Sequence, residues 1–124
     1  PFSVEPNMQL QLCNNWQNFD DYLAAMKTKF RVKARKAFKQ SANIKIEQVT
    51  LKNIDEQLPE MEMLYEKVAQ NADFNLSTFN LNSYKDLKQY LNEKYILKTY
   101  WLDGKIVGFI SGLVNKNEFT DFDP

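Results

Sequence analysis

Two runs of branched and aromatic residues, Tyr95 to Leu102 and Lys105 to Asn115, are joined by Asp103-Gly104. Asp-Gly suits the two-residue turn in which both central residues take positive φ, and that turn lets the flanking strands twist together. The segment therefore reads as an antiparallel hairpin. A lone hairpin is marginal in water, so its apolar face needs other elements to cover it. All three glycines of the chain, Gly104, Gly108 and Gly112, lie here. Gly104 is accounted for by the turn. Gly108 and Gly112 share one face, which suits either a helix packed close to the sheet or backbone left bare for a ligand.

The covering elements are read from apolar spacing. Asn18 stands where an N-cap belongs, followed by Asp20 and Asp21. From Phe19 to Lys39 the residues Phe19, Leu23, Met26, Phe30, Ala34 and Ala37 recur at steps of three and four, which predicts one long helix. A second helix is expected from Asp55 to Ala72, regular from Pro59, with Leu58, Met61, Leu64, Tyr65, Val68 and Ala72 on one face. Ser83-Tyr84-Lys85-Asp86 resembles a capping box opening a short helix that turns Leu87, Tyr90 and Leu91 inward. Alternation at Met8, Leu10 and Leu12, and at Ile44 and Ile46, predicts two further strands, the latter with a bulge near Gln48. The fold class is α+β, a mostly antiparallel sheet packed with helices. A length of 124 residues suits a single domain. The chain opens on Pro1-Phe2 and stops at Pro124 just after a strand pattern, so it is expected to be the N-terminal part of a longer domain.

Composition removes several classes of function. Histidine is absent and Cys13 is the single cysteine, which argues against His-dependent nucleophilic sites, an internal disulfide and a metal centre. No apolar run approaches the ~20 residues of a membrane span, and no secretory leader pattern is present, so the expected location is cytoplasmic. Lys plus Arg balances Asp plus Glu at 16 each. The exception is local: Lys27, Lys29, Arg31, Lys33, Arg35, Lys36 and Lys39 fall on the first helix with no acid among them. A non-catalytic module whose basic helix (27–39) contacts an acidic partner or nucleic acid is therefore the alternative function. Against nucleic acid, the cations surround most of the helix and no stacking aromatics interleave with them on that arc.

The segment Asn15-Trp-Gln-Asn-Phe-Asp-Asp-Tyr-Leu-Ala-Ala-Met-Lys-Thr-Lys-Phe-Arg31 resembles the opening of a GNAT subgroup related to the Fem-type peptidoglycan transferases. Trp101-Leu-Asp-Gly-Lys-Ile-Val-Gly-Phe-Ile110 is similar to the β2–β3 hairpin of GNAT N-acyltransferases. The resemblance implies a GNAT-like fold, here partial, and transfer of an acyl group from acetyl-CoA or another acyl-CoA to a small-molecule or peptide amine. Two helices would lie between the first and second core strands, and the connection between them would line the acceptor site. That connection is Asn71 to Asn82, which makes Asp73, Phe74 and Phe79 substrate-binding candidates, with Tyr84 just beyond. Phe74 and Phe79 equally suit a loop folded back as core. The family holds the pyrophosphate on a Gln/Arg-x-x-Gly-x-Gly/Ala turn. No glycine follows Gly112, so no cofactor-binding residue is assigned, the segment itself is expected to be inactive, and the pattern singles out no catalytic base. Finally, Lys105–Asn115 would form an open edge, offered to a second copy of the chain or capped by the tail Asn117–Pro124 through Phe119 and Phe122.

Overall fold

The computed structural model describes residues 8–72 and 79–115. The chain divides into two compact units, Pro1–Ala42 and Asn43–Pro124.

In the first unit the expected long helix is two helices, α1 (Phe19–Ala25) and α2 (Thr28–Gln40). The start of α1 forms as the sequence indicates. Asn18 is extended and its Oδ1 accepts the Asp21 N–H at 3.1 Å, while Asp21 Oδ2 accepts the Gln17 N–H at 2.8 Å. Met26 then leaves the helix with ψ near 147°. The break is sealed from the far side by Arg31, whose guanidinium donates to the Ala24 carbonyl at 3.0 Å and to Thr28 Oγ1 at 3.3 Å. It supplies the donors and positive charge that a helix C-terminus needs and that α1 lacks in its own last turn. The break also permits an edge-to-face contact of Phe19 with Phe38, centroids 5.6 Å apart. In one straight helix those residues would stand about 28 Å apart along the axis. Of the predicted stripe only Leu23 is buried, and α2 buries no residue. The strand expected at Met8 to Leu12 does not form. Those residues are exposed and pair with no other strand among the described residues, and alternation without a neighbouring ladder does not make a strand.

The second unit holds a three-stranded antiparallel sheet in the order β1-β2-β3, with β1 Lys45–Gln48, β2 Tyr95–Leu102 and β3 Lys105–Leu113. Asp103 (φ 50°) and Gly104 (φ 75°) make the expected tight turn. The irregularity lies elsewhere than expected. β1 simply ends at Gln48, and Val49 turns into the core while its N–H still reaches the Leu97 carbonyl at 2.9 Å. The bulge is in the hairpin, where Trp101 opposes Ile106 and Tyr100 opposes Gly108. The Ile106 N–H is taken by Glu60 Oε2 at 3.1 Å.

Two helices cover one sheet face, α3 (Ile54–Gln70) and α4 (Asn82–Leu91). α3 begins before Pro59 rather than at it. The proline removes one helical bond, but the added turn buries Ile54 and Gln57, and Asn53 ties its start to Glu47 and to the Thr50 N–H. The buried line of α3 runs Ile54, Gln57 and Met61, flanked by Leu58 and Tyr65; it stops short of Val68, which is 71% exposed. Before α4 no Ser83 cap forms; Asn80 Oδ1 accepts the Asn82 N–H at 3.0 Å instead. Tyr90 points outward, and Lys88 takes the inward place with its ammonium on the Tyr95 carbonyl at 2.9 Å. The core joins Val49, Ile54, Met61, Leu81, Tyr95 and Leu97. Beside it runs a polar chain, in which Trp101 donates to Thr99, Thr99 to Gln57 at 2.8 Å, and Gln57 to Glu47.

Candidate functional site

A cavity of about 420 Å³ opens where α3, α4, the end of the preceding connection and the strands β2 and β3 converge. Each element delivers its side chain for a local reason. Tyr65 lies one turn beyond Met61 on α3, partly buried against the core. Tyr84 and Leu87 are three apart on α4 and therefore share a face. Tyr95 begins β2, and Ser111 on β3 pairs with Leu97, so Tyr95 and Ser111 stand diagonally on the same face of the sheet. Gly112 adds bare backbone at the rim. Tyr84 is the hub of the rings, with centroids 5.1 Å from Phe79, 6.3 Å from Tyr95 and 5.9 Å from Phe109.

The polar atoms of this wall are hydroxyls. Tyr65 Oη accepts the Phe79 N–H at 2.9 Å, which leaves its own proton free to be donated. The Tyr95 side chain is 3% exposed, and its hydroxyl meets no hydrogen-bond partner among the described residues. Burial pushes the Tyr84 and Tyr95 phenols above the ordinary value of 10.0. The neighbouring Ser111 hydroxyl opposes that shift, and the adjacent phenols, Tyr65 for Tyr84 and Tyr84 for Tyr95, add to it. Ser111 lies near Tyr95 without completing a hydrogen bond to it, so burial dominates. Tyr84 and Tyr95 are thus held protonated at neutral pH and offer O–H donors, a surface for binding and orienting rather than for nucleophilic attack.

These shifts imply a signed pH dependence. A phenol raised in the folded state contributes stability that is complete below its unfolded value of 10.0 and is lost as pH climbs through the folded value. Urea midpoints followed by circular dichroism are expected to hold through neutral pH and to fall above about pH 10. Tyr84→Phe should flatten that fall. An identical alkaline decline in the variant would place its origin elsewhere.

Of the residues expected from the sequence, Phe79 and Tyr84 both line this cavity. Asp73 and Phe74 lie outside the described residues. Phe79 is 45% exposed and sits at the mouth, not in the core. Tyr65, Tyr95 and Ser111 escaped the sequence reading, the first two because their positions already suited a helix face and a strand. Ser111, a lone hydroxyl in an otherwise apolar strand, was the available signal. The two glycines are not sites of close helix packing. A Cβ at Gly112 would meet nothing within 4 Å, and one at Gly108 would only touch the Tyr100 ring at 4.0 Å.

Among the described residues no group of three or more His, Cys, Asp or Glu side chains could hold a metal ion, and no helix is long and apolar enough to cross a membrane. No family model, no curated protein and no solved structure matches this chain.

Proposed function

We propose that this chain carries the amine-acceptor side of a GNAT-type N-acyltransferase, an enzyme that moves an acyl group from acyl-CoA to an amine. The observation that supports the reading most is topological. Two helices stand between β1 and β2, those strands are antiparallel neighbours, and the connection between the helices brings Phe79 to a cavity that Tyr84 shares. On this reading the amine attacks the thioester carbonyl, the C–N bond forms as the C–S bond breaks, and the thiol leaves with a proton. The contribution of these residues is to seat the acceptor and exclude water, which holds the reacting atoms together. The hydroxyls of Tyr65, Tyr84 and Tyr95 serve as hydrogen-bond donors to the seated acceptor.

The test is radiolabelled acetyl transfer to a panel of amines by the full encoded polypeptide that contains residues 1–124. Transfer is expected, with KM for the amine raised about tenfold by Phe79→Ala as the mouth of the cavity is lost. Residues 1–124 alone are expected to show no transfer. Absence of both acetyl-CoA binding and transfer in the full polypeptide would overturn the reading. The alternative, a binding module working through α2, is favoured by one observation: α2 buries nothing, and no cation between Lys27 and Lys39 is paired with an acid among the described residues. Salt-sensitive oligonucleotide binding in place of acyl transfer would select it.

A further inference from the structure

The geometry points to the chemical class of the group this cavity takes: an uncharged, ring-sized apolar body bearing one carbonyl-type oxygen, which accepts a hydrogen bond from the Tyr95 hydroxyl. The inference rests on the acyl-acceptor reading for the chemical step after binding, but the binding itself is independent of acyl-CoA.

Three observations converge. Among the described residues the walls are Tyr65, Phe79, Tyr84, Leu87 and Tyr95, with no Asp, Glu, Lys or Arg side chain, so an ammonium or carboxylate entering here would lose its water without gaining a counter-charge from them. The clustered rings of Phe79, Tyr84 and Tyr95 present faces and edges suited to a flat or branched hydrocarbon group. The Tyr95 hydroxyl is the third. The Tyr95 residue lines the cavity, and its hydroxyl is buried behind that wall with no hydrogen-bond partner among the described residues. A buried donor without an acceptor is unfavourable, and an acceptor arriving inside the ligand removes that cost. The amine to be acylated would then remain at the mouth beside Phe79, where solvent still reaches it.

The probes are acetophenone, which carries a ring and one carbonyl, ethylbenzene, which is nearly the same shape without the acceptor, and benzylammonium, which adds charge. Each is titrated into residues 1–124 without acyl-CoA, following the amide resonances of Ser111 and Gly112. Acetophenone is expected to bind about tenfold more tightly than ethylbenzene, and benzylammonium the least tightly. Tyr95→Phe should abolish the preference for acetophenone while leaving ethylbenzene unchanged. That variant removes an unpaired buried hydroxyl and keeps the ring, so its melting temperature should equal or exceed that of the parent. Equal binding of acetophenone and ethylbenzene, a preference that survives Tyr95→Phe, or tightest binding of benzylammonium would each overturn the inference. Were the probe order as expected and no amine acylated by the full polypeptide, the acyltransferase reading would fall and the cavity assignment would stand.

Discussion

Replacing Leu97 by alanine is expected to remove about 3–4 kcal/mol from the second unit, a large share of the ~5–15 kcal/mol that holds a typical domain folded. Leu97 is fully buried in the central strand, between β1 and β3 in the sheet and among the side chains of α3 and α4. Its neighbours Val49, Ile54 and Met61 come from separate stretches of chain, so the hole left by the missing isobutyl group cannot close by moving one element. The same cut at Val68, which is 71% exposed, is the matched control and should change stability by less than about 0.5 kcal/mol. Urea unfolding monitored by circular dichroism reads both. A loss below about 1 kcal/mol at Leu97 would mean that the helices do not clamp the sheet as described.

The range of each interaction decides how far it could be read from residues alone. The hairpin was legible because its information is local: Asp103 and Gly104 set the turn, and branched and aromatic residues run on both sides of it, whereas the buried face of β2 shows only in the fold. The cap of α1 was legible for the same reason, since Asn18 and Asp21 are three apart. The break after Ala25 was not, because its stabilising partner is Arg31, a residue that pattern assigns to the solvated cationic face of the helix it actually closes. The start of α3 misled in the opposite direction. Pro59 carries a local signal that argues for a later start, and the burial of Ile54 and Gln57 against the sheet outweighs it. Thr99 and Gln57 meet across 42 positions of sequence, a pairing that no periodicity records. At the candidate site, Phe79 and Tyr84 are expected only through the family resemblance, which marks the connection between the two helices, and not through any local pattern. Tyr95 looks like any strand aromatic until its hydroxyl is found buried without a partner.

Self-association of the chain through β3 is the second large effect expected, a change of oligomeric state rather than of stability. In the order β1-β2-β3, the outer edge of β3 has no strand beside it among the described residues. Its backbone groups are an open template for another chain, although the Ile106 N–H is already taken by Glu60. The edge is also apolar at the surface, with Val107, Ile110 and Leu113 exposed at 46%, 53% and 62%. A neighbouring strand meets no side chain at Gly108 or Gly112, so its backbone can come close. Sedimentation velocity is therefore expected to show a dimer at high micromolar concentration, with slowed amide exchange from Val107 to Leu113. Ile110→Lys, placed on a half-open position where a charge stays hydrated, should give a monomer with an unchanged melting temperature. The competing arrangement, capping by the tail Asn117–Pro124, concerns residues outside those described and has its own signature: a monomer with slow exchange that dimerises once residues 117–124 are deleted. A wild-type monomer whose edge amides exchange rapidly would refute pairing of either kind, because unpaired N–H groups on a strand edge exchange with solvent without any opening step.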